Sequence, residues 1–176
     1  MRILGIVGSL RRDSFNKKLL AAMGKLLPSG VEFSTFDIGT LPLFNQDDEK
    51  ARYPEAARAL KDAIVASDGV IIASPEYNRS IPGSLKNALD WTDRPSGESA
   101  WPGKPVLIAG ASGGMIGTAL AHYDLAKVLM HAEARVPSIE VTIGKFTERF
   151  DEAGNITDSK TEEVLKEAVA KFLEFI

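Results

Sequence analysis

Apolar residues along this chain fall into two alternating rhythms. Ile3-Leu4-Gly5-Ile6-Val7, Gly69 to Ser74 and Pro105 to Gly110 are short, almost wholly apolar runs, the pattern of strands buried on both faces of a parallel sheet. Between them the spacing changes to three and four residues. Leu19, Leu20, Met23, Leu26 and Leu27 follow Phe15, and Ala57, Leu60, Ile64 and Val65 follow Pro54, which predicts two amphipathic helices. Further helices are expected at Gly83–Trp91, Met115–His131 and Asp158–Ile176, the last capped by Asp158 and turning Val164, Leu165, Ala168 and Phe172 inward. Val31 to Asp37 alternates in polarity and predicts a less buried strand near a sheet edge, while Ser138 to Ile143 reads as a fifth strand. The stretch between Asp37 and Pro54, rich in Pro, Asp and Asn, predicts a long loop.

Strands and helices in this order imply right-handed βαβ units, hence a doubly wound α/β fold with helices on both faces of a parallel sheet. With five strands the expected order is 2-1-3-4-5, the flavodoxin-like arrangement, and such sheets bind ligands at the carboxyl ends of their strands. A length of 176 residues fits one domain over residues 1–176.

Composition narrows the chemistry. The chain has no cysteine and only two histidines, His122 and His131, so thiolate nucleophiles, disulfides and sulfur-ligated metals are excluded and no metal site is expected. A net charge of -3 from 21 basic and 24 acidic residues gives no footprint for nucleic acid. No segment approaches the roughly 20 apolar residues of a membrane span, and the expected location is the cytoplasm.

Three loops stand out, each following a buried strand. In Gly8-Ser9-Leu10-Arg11-Arg12-Asp13-Ser14-Phe15-Asn16, the hydroxyls of Ser9 and Ser14, the Asn16 amide, the Arg11 guanidinium and a helix N-terminus suit one phosphate. The spacing matches neither a Walker loop nor G-x-G-x-x-G, which disfavours a pyrophosphate on this turn. The same residues also fit a simpler account, in which Ser14 or Asp13 caps the helix and both arginines are solvated. In the second loop, Ser74 to Gly83, two prolines stiffen the chain, and Tyr77 and Asn78 offer a flat face and a polar edge for a planar heterocycle. Leu85, Leu89 and Trp91 after it read as core. The third loop, Gly110-Ala111-Ser112-Gly113-Gly114-Met115-Ile116-Gly117, permits close backbone approach to a ligand, although a tight turn explains its glycines equally well. His122 and Tyr123 beyond it fit a partly buried or interface role better than catalysis.

G-S-L-R-x-x-S-x-N in the first loop and P-E-Y-N-x-S-I-P-G-x-L-K-N-A-L-D-W in the second resemble the NADPH-dependent FMN reductase family, whose members include chromate-, quinone- and azo-dye-reducing enzymes. The resemblance covers nearly the whole chain. It implies non-covalent FMN, NADPH or NADH as electron donor, a small-molecule electron acceptor, and a homodimer or a tetramer of dimers. Carried over by position, it assigns the phosphate to Ser9, Arg11, Ser14, Phe15 and Asn16, the isoalloxazine and ribityl groups to Pro75, Glu76, Tyr77 and Asn78, and a third-loop contact to Ser112 and Gly113. The segments Gly113-Gly114-Met115 and Asp47 to Tyr53 depart from the family pattern, which leaves the acceptor pocket unassigned.

Two functions follow from different classes. One is an FMN-dependent NAD(P)H oxidoreductase that passes a hydride to flavin and then two electrons to free flavin, a quinone, an azo compound or a metal oxyanion by a ping-pong route, with no obligatory catalytic side chain. The other is a flavodoxin-type electron carrier without a nicotinamide site. Such carriers are strongly acidic, whereas this chain is near neutral and has two arginines in its phosphate loop, which favours the reductase.

Overall fold

The apolar runs form strands because helices cover both of their faces. In the computed structural model, which describes residues 1–176, β1 (Arg2–Val7), β2 (Glu32–Phe36), β3 (Gly69–Ala73), β4 (Val106–Ala111) and β5 (Val141–Ile143) form one parallel sheet in the order β2-β1-β3-β4-β5. Seven helices surround it: α1 (Phe15–Lys25), α2 (Gln46–Ala51), α3 (Glu55–Ala66), α4 (Gly83–Thr92), α5 (Ala119–His131), α6 (Phe146–Arg149) and α7 (Ser159–Phe175). The doubly wound, flavodoxin-like fold is as expected.

The period of two along the central strands sorts side chains between two cores. Ile71, Ala73, Leu107 and Ala109 meet Leu19, Leu20 and Met23 of α1 and Leu165, Val169 and Phe172 of α7. Val70, Ile72, Val106 and Ile108 meet Leu60 and Ile64 of α3, Leu85 and Leu89 of α4, and Leu125 and Leu129 of α5. Each fully buried aliphatic side chain contributes about 1.5 to 3 kcal/mol. Trp91 is fully buried, as its helical spacing predicts, and its indole N–H donates to Pro42 O at 2.8 Å. Trp101 is also buried and donates to Thr92 Oγ1 at 2.9 Å, so the loop after α4 folds back onto its own helix.

Several boundaries differ from the sequence reading. The fifth helix begins at Ala119 rather than Met115, because Gly117 sits at φ +71° and interrupts right-handed helix there. Val65 and Val164 point outward, and Thr161 and Val169 take inner positions on their helices. The expected long loop contains α2, which buries none of its residues and so lacks an apolar period. It is held instead by the Asn45 cap at its start and by the Arg94–Glu49 ion pair at 3.1 Å.

Candidate functional site

The loops after β1, β3 and β4 meet at the carboxyl edge of the sheet, where the chain winds to one side for β2 and to the other for β3. They enclose a cleft of about 160 Å³ lined by Ser9, Arg11, Ser14, Phe15, Asn16, Pro75, Glu76, Tyr77, Ala111, Ser112 and Gly113. Every candidate residue from the sequence except Asn78 lies on that lining. Ala111 joins it without any side-chain signal, since its place follows from ending β4. A larger, mostly apolar hollow of about 310 Å³ lies between α5 and the β5 edge, behind the third loop.

The first loop combines a cap with free donors. Ser14 is buried in extended conformation, and its Oγ accepts from Asn16 N–H at 3.2 Å, so the capping role is real. Ser9 is buried too, with its Oγ 3.4 Å from Tyr77 Oη, which joins the first two loops. The backbone N–H groups of Arg12, Asp13, Ser14 and Phe15 find no acceptor within the chain. Of these, Ser14 and Phe15 lie on the cleft lining at the start of α1, beside the exposed Arg11, the setting in which helix N-termini accept anions.

Asn16 does something its sequence position does not disclose. Its Nδ2 donates to Ala111 O at 3.0 Å and its Oδ1 accepts from Ala111 N–H at 2.8 Å, so one buried amide ties the start of α1 to the end of β4. Phe15 stacks on Phe146, with ring centroids 4.7 Å apart, and Phe146 continues the stack to Phe150. These contacts fix the loop before any ligand arrives.

Glu76 turns its carboxylate away from free solvent. Its Oε2 accepts from Leu120 N–H at 3.0 Å and Ala121 N–H at 3.3 Å, which caps α5 and satisfies two of its orphan donors. Ser80 Oγ donates to Asp124 on the same helix at 2.6 Å, and Ser84 Oγ donates to Gly8 O at 2.9 Å. The second loop is therefore rigid through hydrogen bonds to α5 and the first loop as well as through its prolines. Other carboxylates nearby are also engaged: Lys18 holds the Asp13 carboxyl below its usual range, and Ser80 and Lys127 do the same for Asp124.

Behind the third loop, Thr118 Oγ1 and His122 Nε2 lie 3.0 Å apart. Burial pushes the His122 imidazole down to about 4, against the opposing pull of the Ala109 carbonyl and the Glu76 carboxylate. An unfolded histidine takes its proton first, so folding stability falls as pH drops from the ordinary histidine range toward that value. Relative to wild type, His122→Gln should lose about 2 kcal/mol less between pH 6 and 4.5, at roughly 1.4 kcal/mol per pH unit. Urea melts across that range check it, and parallel curves would show that His122 is not the acid-sensitive group.

The profile of the family described as NADPH-dependent FMN reductase matches residues 1–148. The chain belongs to that family. A 2-hydroxy-1,4-benzoquinone reductase of Burkholderia sp is 45% identical, covering 100% of this chain and 96% of the relative. A quinone reductase of Pseudomonas putida is 39% identical over 97% and 92% of the two chains. Among solved structures, the flavoenzyme NAD(P)H:(acceptor) oxidoreductase FerB of Paracoccus denitrificans superposes with a TM-score of 0.91 at 42% identity, covering 98% of this chain and 95% of that one. This member of the family is an FMN-dependent NAD(P)H oxidoreductase, and the carrier alternative falls away.

Proposed function

We propose that the three-loop cleft is the FMN site and that the enzyme reduces small acceptors of the quinone type by a ping-pong route. The observation that carries the assignment is the run of unpaired N–H groups leading into α1, with Ser14 and Phe15 on the cleft lining beside Arg11, which suits a single phosphate. Ser9, Ser14 and Arg11 hold that phosphate, while Asn16 and Phe15 hold the loop that presents it. Pro75, Tyr77 and Gly113 border the open edge where the ring lies. The backbone N–H of Glu76, on the cleft lining and without an acceptor in the chain, is the donor available to stabilise negative charge on the ring. Bound FMN supplies the redox chemistry, taking a hydride from the nicotinamide and giving two electrons to the acceptor. No side chain is needed as acid or base. The names of the curated relatives support quinones over azo compounds or metal oxyanions.

Arg11→Ala tests the phosphate assignment. Losing a charge-assisted contact should weaken FMN binding by about 1.5 to 3 kcal/mol with little change in folding. Unchanged affinity would return Arg11 to solvent. Anaerobic addition of NADPH or NADH should bleach the yellow protein, and stoichiometric quinone should restore the colour. No response to either nicotinamide would defeat the functional reading.

We further infer one domain, a cytoplasmic location and self-association as a homodimer or tetramer of dimers. No helix is long and apolar enough to cross a membrane. Self-association is supported by Leu120, Tyr123 and Met130, an apolar stripe exposed along α5 and continued by Met115 and Ile116 of the third loop. Sedimentation at micromolar protein that gives only monomer would count against it.

A further inference from the structure

The tip of the second loop holds two non-glycine residues in left-handed conformation, Asn78 at φ +50° and Arg79 at φ +69°. Tyr77 N–H donates to Ser80 O at 3.0 Å and Ser80 N–H to Tyr77 O at 3.1 Å. The segment is thus a tight turn with positive φ at both central positions, the geometry in which asparagine is tolerated first and glycine is preferred second. An arginine in the second position is strained, and the strain persists only because the surroundings impose it. Ser80 and Glu76 impose it through their bonds to α5.

Within the chain the Arg79 side chain has almost nothing to do. It is 77% exposed, and its one ion-pair contact is a long 3.9 Å to Glu76 Oε1, on a carboxylate already committed to the α5 N-terminus. That contact sets the guanidinium beside the α5 N-terminus, next to Glu76 of the cleft wall and outside the cleft lining itself. Asp13 is held by Lys18, Asp124 by Ser80 and Lys127, and Glu76 by the α5 N-terminus, so the free cations near the cleft are Arg11 and Arg12 on the first loop and, only loosely paired to Glu76, Arg79 on the second. Arg11 is spoken for by the flavin phosphate, so the mouth has a second, separate receptor for an oxyanion.

We propose that Arg79 binds the phosphate oxyanions of the nicotinamide dinucleotide donor, making it a donor-selecting residue. The inference rests on the cleft being the flavin site. A nicotinamide lying over the ring must carry its pyrophosphate outward past the rim, and a planar guanidinium fixed on a rigid turn matches phosphate geometry in a way a lysine does not. The flavin phosphate and the donor phosphates are then held by cations of different loops.

The test uses the FMN-loaded protein with Arg79→Gly and Arg79→Lys. Glycine suits the turn, so Arg79→Gly should fold with unchanged or higher thermal stability and full flavin content. Its KM for NADPH and NADH should rise about tenfold or more, and its calorimetric affinity for ADP-ribose should fall by a similar factor, both differences shrinking at high salt. Reduction by the uncharged donor 1-benzyl-1,4-dihydronicotinamide should change less than about twofold, since it has no phosphate to lose. Arg79→Lys should recover part of the loss. Equal losses with charged and uncharged donors would make Arg79 a support for the turn and overturn the proposal, as would unchanged constants throughout. A KM increase confined to an anionic acceptor, a naphthoquinone sulfonate compared with its neutral parent, would move Arg79 to the acceptor side and overturn it as well. Wild-type protein that retains no FMN would instead overturn the cleft assignment and this proposal together.

Discussion

Gly110→Ala is expected to destabilise the protein by about 3 kcal/mol or more and to leave it largely without flavin, because overpacking against fixed atoms forces backbone displacement. A Cβ at Gly110 would collide with Thr118 Oγ1, and would stand 2.6 Å from the Ser74 carbonyl oxygen and 2.7 Å from His122 Nε2. None of these neighbours gives way cheaply. Ser74 O belongs to the backbone at the end of β3, and Thr118 and His122 are partners in one hydrogen bond. Any relief must part the second and third loops, whose spacing shapes the cleft. Gly114→Ala is the control: its Cβ would meet only Ser112 Oγ, at 3.7 Å, and should be tolerated. Urea melts and flavin absorbance per protomer read both variants. Gly110→Ala with wild-type stability and full flavin would mean that the packing at the strand ends is softer than these distances imply.

The contrast between those glycines shows what a sequence discloses and what it withholds. The third loop reads as glycine-rich, yet nothing in G-A-S-G-G-M-I-G tells which glycine is required by contact, because the atoms that crowd Gly110 come from β3 and α5. Legible features were those with a local period or a local turn signal: the buried strands, α1, α3 and α4, the Asp158 cap, and three loops placed together by strand order alone. α2 was not legible, since all six of its residues remain outside the core, and its only signals were the Asn45 cap and an acidic first turn. α6 is a single turn entered through Lys145 at φ +49°, a conformation no residue pattern announces.

Site residues divide in the same way. Ser9, Ser14 and Arg11 were legible as donors on a loop that precedes a helix. Glu76 and Asn16 lie on the cleft as the motifs imply, but their side chains spend their hydrogen bonds on α5 and β4, 44 and 95 residues away in sequence. A motif records that a residue type is needed at a position. Only the fold says whether the side chain meets the ligand or holds the wall.

Asn16 is the position where that distinction is sharpest, and Asn16→Ala is expected to cost about 2 to 6 kcal/mol, since it strands a buried N–H and C=O of Ala111, each worth about 1 to 3 kcal/mol when unpaired. Asn16 is 2% exposed, so water does not readily replace the lost bonds. Asn16→Asp separates the two halves of the bridge. Its carboxylate still accepts from Ala111 N–H but sets negative charge against Ala111 O, and within the first turn of α1 it also repels a phosphate held at that N-terminus. Burial and the facing carbonyl raise the pKa of this aspartate in the folded state, so its charge penalises folding at neutral pH and the penalty is relieved as pH falls through the raised value. Protonated, it donates to Ala111 O and restores the bridge. Urea midpoints and FMN dissociation constants for wild type, Asn16→Ala and Asn16→Asp at pH 7.5 and 5 should therefore show Asn16→Asp approaching wild type in acid, while Asn16→Ala stays weak at both. If Asn16→Ala keeps wild-type stability and loses only flavin, the amide serves the ligand directly and the strut between α1 and β4 is incidental.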